Sequence, residues 1–238
     1  MSQRSLDEFG AYRKARDLRL RAEPRPSLDP YPSSLTSHIV FVVDDDPSVR
    51  KSLNRLLKSA GHTVELFASS SEFLQRERFG GVGCLVLDVQ LPGLNGLELQ
   101  RAMAAREFNL PIVFITGHGD IPMSVRAIKA GAVDFIPKPF TDAVLLKAID
   151  VALETCRTER AARLELAEIK SRLATLTPRE HEVLCHVVSG QMNKQVADDL
   201  GTAEKTIKVH RARVMEKMKA GSLAELVRMT EKLGIHPV

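Results

Sequence analysis

The chain has 238 residues and three widely spaced cysteines, which is enough for one large or two small domains but indicates neither a disulfide framework nor a zinc site. The net charge of +4 is modest, no window approaches about 18 uninterrupted apolar residues, and residues 1–16 are too polar for a signal peptide. These features exclude secreted disulfide-rich and membrane-spanning classes, and they predict a protein of the reducing cytoplasm with no membrane partner.

The two ends of the chain differ in composition. Residues 1–37 combine arginines with four prolines and have no sustained apolar period, which predicts a flexible N-terminal extension. Residues 155–238 carry 15 basic and 11 acidic side chains, whereas residues 38–154 carry 12 and 14. The excess of positive charge makes an anionic partner plausible for the C-terminal third.

From Ile39 onward, short apolar runs alternate with amphipathic segments. Asp46 stands before Pro47 and is expected to cap the first helix. The predicted strands are 39–43, 62–67, 83–87, 111–115 and 132–136, and the predicted helices are 47–60, 70–78, 95–106, 122–130 and 142–155. Five strand–helix units predict an α/β fold, a doubly wound five-stranded parallel sheet, over residues 38–155.

Polar side chains stand where several of these strands end. Asp44 and Asp45 follow the first strand, Asp88 follows the third, Thr116 ends the fourth and Lys138 follows the fifth. Open α/β sheets place their chemistry at the carboxyl ends of the strands, so we expect these side chains to lie close together. Because clustered carboxylates repel one another unless a cation lies between them, Mg²⁺ is the expected metal.

These residues suit phosphoryl transfer to a carboxylate. The reaction needs a nucleophile, a metal on the phosphoryl oxygens and further donors for the negative charge that builds up. Asp88 would be the nucleophile, while Lys138 and Thr116 would be the donors. The plainer interpretation, in which Asp44, Asp45 and Asp46 only cap a helix, is weakened because four strand ends provide one set of chemical groups.

Residues 156–176 are charged and predicted to form a helical linker. Apolar residues recur at alternating steps of four and three, the spacing of a coiled-coil heptad: Ala162, Leu166, Ile169, Leu173 and Leu176. Two heptads are too short to establish a coiled coil, so a helix that packs on its own domains is at least as good an explanation.

Residues 177–238 are predicted to be an all-α domain of four helices, at 178–188, 193–200, 204–219 and 222–233. Thr177 and Glu180 have the spacing of a capping box. Between the second and third helices, small and apolar residues surround Gly201 as a helix-turn-helix requires. The third helix carries six basic side chains against two acidic ones, which suits the major groove of double-stranded DNA.

Residues 38–155 resemble a known family. VVDDDPSVRKSL, VLDVQLPGLNG, VFITGHGD and AGAVDFIPKPF are similar to the motifs of the receiver domain of bacterial two-component response regulators, a flavodoxin-like fold. The resemblance implies a cis Lys138–Pro139 bond, acceptance of a phosphoryl group from a histidine kinase, and no enzyme activity beyond Mg²⁺-dependent phosphorylation and dephosphorylation of the protein itself. The implied roles are phosphoacceptor for Asp88, metal site for Asp44, Asp45, Asp88 and the Gln90 carbonyl, and phosphoryl sensing or switching for Thr116, Lys138 and Phe135.

The C-terminal domain resembles the LuxR-type DNA-binding domain, from LTPREHEVL through KVHRARVMEKM to LAELV. The resemblance implies phosphate contacts from Asn193 and Lys194, and it makes the recognition helix the source of the remaining contacts, from Lys205, Thr206, Lys208, Val209 and Arg211. One turn after Lys208, where the family can carry a basic groove contact, this chain has Ala212. The base specificity of other family members therefore cannot be assigned to this chain.

Together the two resemblances indicate the FixJ-like group of transcriptional regulators. They imply a receiver that forms a homodimer when it is phosphorylated and a C-terminal domain that binds promoter DNA, with RNA polymerase as a further candidate partner. Two alternatives stay open: a phosphatase of the haloacid dehalogenase type, which would place its nucleophile after the first strand, whereas the lone acceptor Asp88 follows the third, and a phosphate-independent DNA binder with a degenerate receiver.

Overall fold

The computed structural model describes residues 38–235 except for 78, 107 and 118–120. The extension predicted at 1–37 lies outside the described residues, as does the last part of the C-terminal domain, 236–238. Among the residues that are described, no helix is both long enough and apolar enough to cross a membrane.

A five-stranded parallel sheet forms the N-terminal domain, as the sequence predicted. The strands are β1 (Ile39–Val43), β2 (Thr63–Phe67), β3 (Gly83–Asp88), β4 (Ile112–Thr116) and β5 (Asp134–Pro137). Their order in the sheet is β2-β1-β3-β4-β5, and each neighbouring pair is parallel. β1 and β3 are therefore adjacent, which brings their carboxyl ends together at one edge of the sheet.

Helices cover both faces of this sheet. They are α1 (Pro47–Ser59), α2 (Ser70–Gln75), α3 (Gly96–Ala105) and α4 (Ile121–Lys129), followed by the long α5 (Asp142–Leu173). Alternate residues of β1 enter two separate apolar cores, Val40 and Val42 with α1 and α5, and Phe41 and Val43 with α2, α3 and α4. As predicted, the Asp46 carboxylate caps α1 by accepting a 2.7 Å hydrogen bond from the Ser48 N–H.

One helix, α5, replaces the two helices that the sequence predicted at 142–155 and 156–176. It is continuous over 32 residues, a length of about 48 Å at the rise of an α-helix. Neither glycine nor proline occurs between Asp142 and Leu173, so nothing in the backbone ends the helix where the N-terminal domain ends. Its buried positions run from Leu145 to Cys156 and resume at Ile169, and residues 157–168 include no buried side chain.

The C-terminal domain contains α6 (Pro178–Val188), α7 (Asn193–Asp199), α8 (Glu204–Met218) and α9 (Leu223–Lys232). Its core includes Ile169, with Leu173 and Leu176 packed against it, so the C-terminal half of the heptad pattern packs on its own domain, whereas Ala162 is exposed. Gly201 adopts φ +60° between α7 and α8, the conformation that a glycine at this turn permits. The predicted capping box of Thr177 and Glu180 is present.

Candidate functional site

Three carboxylates meet at the carboxyl edge of the sheet. β1 and β3 pair in register, Val43 beside Leu87, so the residues that follow them, Asp44 and Asp88, emerge side by side. Carboxylate oxygens of Asp44, Asp45 and Asp88 all lie within 4.8 Å of one another. Asp44 is fully buried, Asp88 is 7% exposed and Asp45 is exposed to solvent, so the cluster opens to solvent on the Asp45 side.

Lys138 connects the two buried acids. Its Nζ donates to Asp44 Oδ2 at 2.9 Å and to Asp88 Oδ2 at 2.7 Å. The other oxygens of these carboxylates accept backbone hydrogen bonds, Asp44 Oδ1 from the Asp46 N–H and Asp88 Oδ1 from the Gln90 N–H, both at 2.9 Å. The Lys138–Pro139 bond is cis, as the sequence resemblance implied.

Burial and charge shift the pKa values of these groups. Desolvation raises the pKa of Asp44 above its ordinary value, although hydrogen bonds from Lys138 and from the Asp46 N–H oppose that shift. Burial acts to lower the pKa of Lys138, but hydrogen bonds to Asp88 and Asp44 outweigh it and the pKa lies above its ordinary value. Lys138 is therefore a stable cation at neutral pH, held against two acids that repel each other.

The donor set fits a hard divalent cation. Mg²⁺ prefers carboxylate and carbonyl oxygens together with water, and the cluster offers oxygens from two buried acids and one exposed acid. Among the described residues, no other group of three or more acidic, histidine or cysteine side chains has ligand atoms that converge in this way. The carboxylates that the sequence assigned to metal binding are thus brought together by the fold.

Thr116 and Phe135 lie on the neighbouring strands. Thr116 ends β4 one residue beyond the pairing of Ile115 with Asp88. It is fully buried, and its carbonyl accepts a 2.7 Å hydrogen bond from the Lys138 N–H. The half-buried Phe135 pairs with Phe114 of β4, and their ring centroids lie 6.1 Å apart. Thr116 therefore lies at the edge of the sheet that carries Asp88, whereas Phe135 packs one strand further out.

Two residues at this site were missed by sequence reasoning. Arg50, on the first turns of α1, donates from Nη1 to the backbone carbonyl of Asp44 at 2.6 Å. Gly96 begins α3 so close to β3 that a Cβ there would lie 2.5 Å from the Asp88 carbonyl oxygen. The glycines and turn residues after Asp88 were a signal for a close backbone approach, but a side chain that contacts a backbone carbonyl has no signature in sequence.

The second site lies on α7 and α8. Asn193 begins α7 and is half-buried, and its Oδ1 accepts a 3.3 Å hydrogen bond from Arg211 Nη1 of α8. Val209 is 46% exposed, and Lys208 forms an ion pair with Glu204 at 3.0 Å. The remaining residues assigned to DNA are also exposed: Lys194, Lys205 and Thr206. The fold thus places the assigned residues at the start of α7 and along α8, joined by the contact between Asn193 and Arg211.

Comparison with known proteins matches both parts of the chain. Residues 40–150 match the response regulator receiver domain, and residues 174–230 match the bacterial regulatory proteins of the luxR family. Receiver domains take phosphoryl groups from histidine kinases and generally use Mg²⁺, and the luxR-family domain binds DNA. The fold and the site therefore define a transcriptional regulator of a two-component system.

Similarities that cover more than four fifths of this chain identify the group of regulators more closely. Nodulation protein W of Bradyrhizobium diazoefficiens is 54% identical over 84% of this chain and 88% of its own length, and the transcriptional regulatory protein FixJ of Rhizobium meliloti is 45% identical over 85% and 100%. The solved structure of the response regulator StyR covers 83% of this chain and 100% of its own, with 50% identity and a TM-score of 0.76. The chain belongs to the FixJ-like response regulators.

Proposed function

We propose that Asp88 accepts a phosphoryl group from a histidine kinase and that this modification regulates binding of promoter DNA by the C-terminal domain. The observation that carries the proposal is Lys138 Nζ, which donates to both Asp44 and Asp88 within a cluster of three carboxylates. A nucleophile, a cation and a set of metal ligands at one strand edge are what phosphoryl transfer to a carboxylate requires. The protein acts as a regulator, and its only chemistry is its own phosphorylation and dephosphorylation.

Each group at the site has a role in this transfer. An Asp88 oxygen forms the new bond to phosphorus as the bond from phosphorus to the donor breaks. Lys138 holds positive charge beside that oxygen, and the Thr116 hydroxyl donates to the phosphoryl group once it is attached. Asp44, Asp45, Asp88 and the Gln90 carbonyl would hold Mg²⁺, which when bound neutralises negative charge on the phosphoryl oxygens.

Movement of Thr116 toward the modified Asp88 would allow Phe135 to follow and would change the edge of the sheet at β5. The helices that flank this edge expose aliphatic side chains that are 44–50% accessible, among them Val125 and Ile128 on α4, and Val144 and Val151 on α5. Exposed aliphatic groups around an edge strand suit a second copy of the same surface. Phosphorylation would therefore favour a homodimer by shifting an equilibrium between two conformations.

Such a dimer would place two α8 helices on adjacent half-sites of double-stranded DNA. Lys205, Thr206, Lys208, Val209 and Arg211 would contact the duplex from α8, while Asn193 and Lys194 would contact phosphates from α7. RNA polymerase is the proposed partner of the bound dimer. Because the histidine kinase must reach the receiver and the promoter must reach α8, we place the protein in the cytoplasm.

Reaction with acetyl phosphate and Mg²⁺ tests the acceptor directly. The wild type should gain one phosphoryl group by intact mass, and its sedimentation should shift toward a dimer. Asp88→Asn should do neither, whereas Asp198→Asn, which changes an exposed aspartate on α7, should behave as the wild type. Equal labelling of the wild type and Asp88→Asn would refute the assignment.

A further inference from the structure

The recognition helix α8 ends on a cation that comes from another helix. The last carbonyls of any α-helix lack partners within the helix, and its C-terminal end carries partial negative charge. Here the carbonyl of Met218, the last residue of α8, accepts a 3.2 Å hydrogen bond from Arg172 Nη1, near the end of α5. Arg172 is itself held by Glu168, which accepts from its Nε at 3.1 Å and from its Nη2 at 3.0 Å.

A second cation, Lys217, also joins the last turn of α8 to the segment that follows α5. Lys217 Nζ donates to the Thr175 carbonyl at 3.1 Å, two residues after α5 ends, and to Glu180 Oε2 at 2.6 Å. The Glu180 side chain is 3% exposed, and its Oε2 also accepts from the Thr177 N–H at 2.9 Å. The final turn of α8 is therefore joined to the end of α5 and the start of α6 by hydrogen bonds from charged groups, which are stronger than neutral ones.

These contacts connect the carboxylate site of the receiver to the recognition helix α8 through α5. The N-terminal half of α5 lies in the receiver core with Leu145 and Ile149, and its C-terminal end enters the DNA-binding core at Ile169. Because a helix is stiff along its length, a shift or rotation of its receiver half would displace Arg172. The hydrogen bond to Met218 would then transfer that displacement to the end of α8.

We infer that Arg172 is a positioning residue for DNA recognition, which holds the C-terminal end of α8 to α5 and so makes the DNA affinity of α8 depend on the state of the receiver. The inference rests on the proposed function, because it needs a DNA affinity that responds to phosphorylation. It does not require Arg172 for folding, since the C-terminal core is apolar and the Arg172 side chain is 23% exposed. Its partner Glu168 is 54% exposed, and an ion pair with a solvent-exposed partner contributes little to stability.

Binding of one DNA duplex by the full chain, with and without acetyl phosphate and Mg²⁺, tests this role. The duplex is selected from a random library by the wild type in the presence of the donor. The measured quantity is the ratio of the two affinities. Arg172→Ala should lower this ratio at least fivefold and Arg172→Lys should restore part of it. Arg163→Ala, which removes an ion pair with Glu159 on the exposed part of α5, should leave it unchanged, and melting curves should show each variant folded.

The possible outcomes separate the two claims. If the wild type selects no duplex, or if its DNA affinity is the same with and without acetyl phosphate, the proposed function is refuted and the inference with it. A wild-type response that Arg172→Ala retains in full overturns the inference alone. Equal weakening of Arg172→Ala with and without the donor also overturns it, because Arg172 would then only support the fold of the C-terminal domain.

Discussion

Asp44 and Asp45 are neighbours in sequence, yet one is fully buried and the other is exposed. A buried carboxylate needs a compensating partner, and Lys138 provides it for Asp44. Asp45 needs none, because it is exposed to solvent. The pair thus combines a buried carboxylate, oriented by hydrogen bonds, with one that lies in solvent, which is the combination that the proposed metal site would use.

Arg50→Gln should slow phosphorylation without unfolding the receiver. The substitution removes the 2.6 Å hydrogen bond to the Asp44 carbonyl, so the loop that orients Asp44 and Asp45 loses one restraint. A hydrogen bond worth about 1 kcal/mol predicts a rate of labelling by acetyl phosphate lower by roughly fivefold. Arg55→Gln, on the exposed surface of the same helix, is the matched control, and equal rates for the two variants would show that Arg50 does not position the ligands.

The buried Glu180 should make the stability of the C-terminal domain fall in acid. Hydrogen bonds from Lys217 and then from the Thr177 N–H lower the pKa of Glu180 from 4.5 to about 2. Because the pKa is lower in the folded state, its contribution to stability is complete above pH 4.5 and is lost as the pH falls toward 2.

Thermal melting against pH would measure this effect. The wild type should melt above Glu180→Gln at neutral pH, and the difference between their melting temperatures should shrink as the pH falls from 5 to 2. Glu182→Gln, which alters an exposed pair with Arg179, should follow the wild type throughout. A difference that stays constant with pH would rule out the lowered pKa.

At the scale of elements, the sequence predicted every strand of the sheet to within two residues at each end. Apolar runs bounded by turn residues identify buried parallel strands well. The main error was the end of the helix predicted at 142–155, because residues 157–168 of α5 contact neither core extensively and so impose no apolar period. A helix that spans two domains shows two short patterns in sequence, and the exposed part between them resembles a boundary.

The site residues also divide into those whose place the sequence predicts and those whose place it does not. The carboxylates, Thr116 and Lys138 were predictable because side-chain type and strand end together specify their place. Arg50 and Arg172 were not, since each donates to a backbone carbonyl and any residue type can supply that acceptor. Contacts of this kind become visible only when the helices are placed in three dimensions.

The C-cap of α8 offers a test of backbone strain. Lys219 follows the helix with φ 54° and ψ 36°, the left-handed conformation, which costs a residue with a Cβ about 1 kcal/mol. Lys219→Gly should therefore raise the free energy of unfolding of the C-terminal domain by about 0.5–1 kcal/mol in a denaturant titration.

Arg213→Gly is the matched variant within the same helix. Arg213 is exposed in the interior of α8, where glycine destabilises a helix by about 1 kcal/mol. Each substitution removes one basic side chain, at the C-cap of α8 or within the helix, and the two should change stability in opposite directions. If Lys219→Gly also destabilised the domain, the left-handed cap would not be the source of strain.

For the whole molecule, α5 fixes the rotation of one core relative to the other. Each inserted residue turns the C-terminal half of the helix by about 100° and moves it by about 1.5 Å. Two alanines inserted between Ala161 and Ala162, in the exposed part of α5, should turn the DNA-binding core by about 200° and lower the donor-stimulated DNA affinity about tenfold.

Seven inserted alanines provide the control for length. They lengthen the helix more than two do, but they return it to within about 20° of its original phase. Binding of the selected duplex should then recover to within about threefold of the wild type, as judged by titration with acetyl phosphate present. Similar losses for both insertions would mean that the distance between the cores, and not their phase, governs binding.

A single uninterrupted helix between two closed cores also has a consequence for how such proteins diversify. Each core includes its own end of α5, from Leu145 to Leu153 and at Ile169, so a recombination point within residues 157–168 separates the cores without opening either one. A new combination of sensor and reader would then need only to keep the turn of the helix in phase. The exposed part of α5 is therefore the segment at which one domain can be exchanged for another during evolution while both cores stay intact.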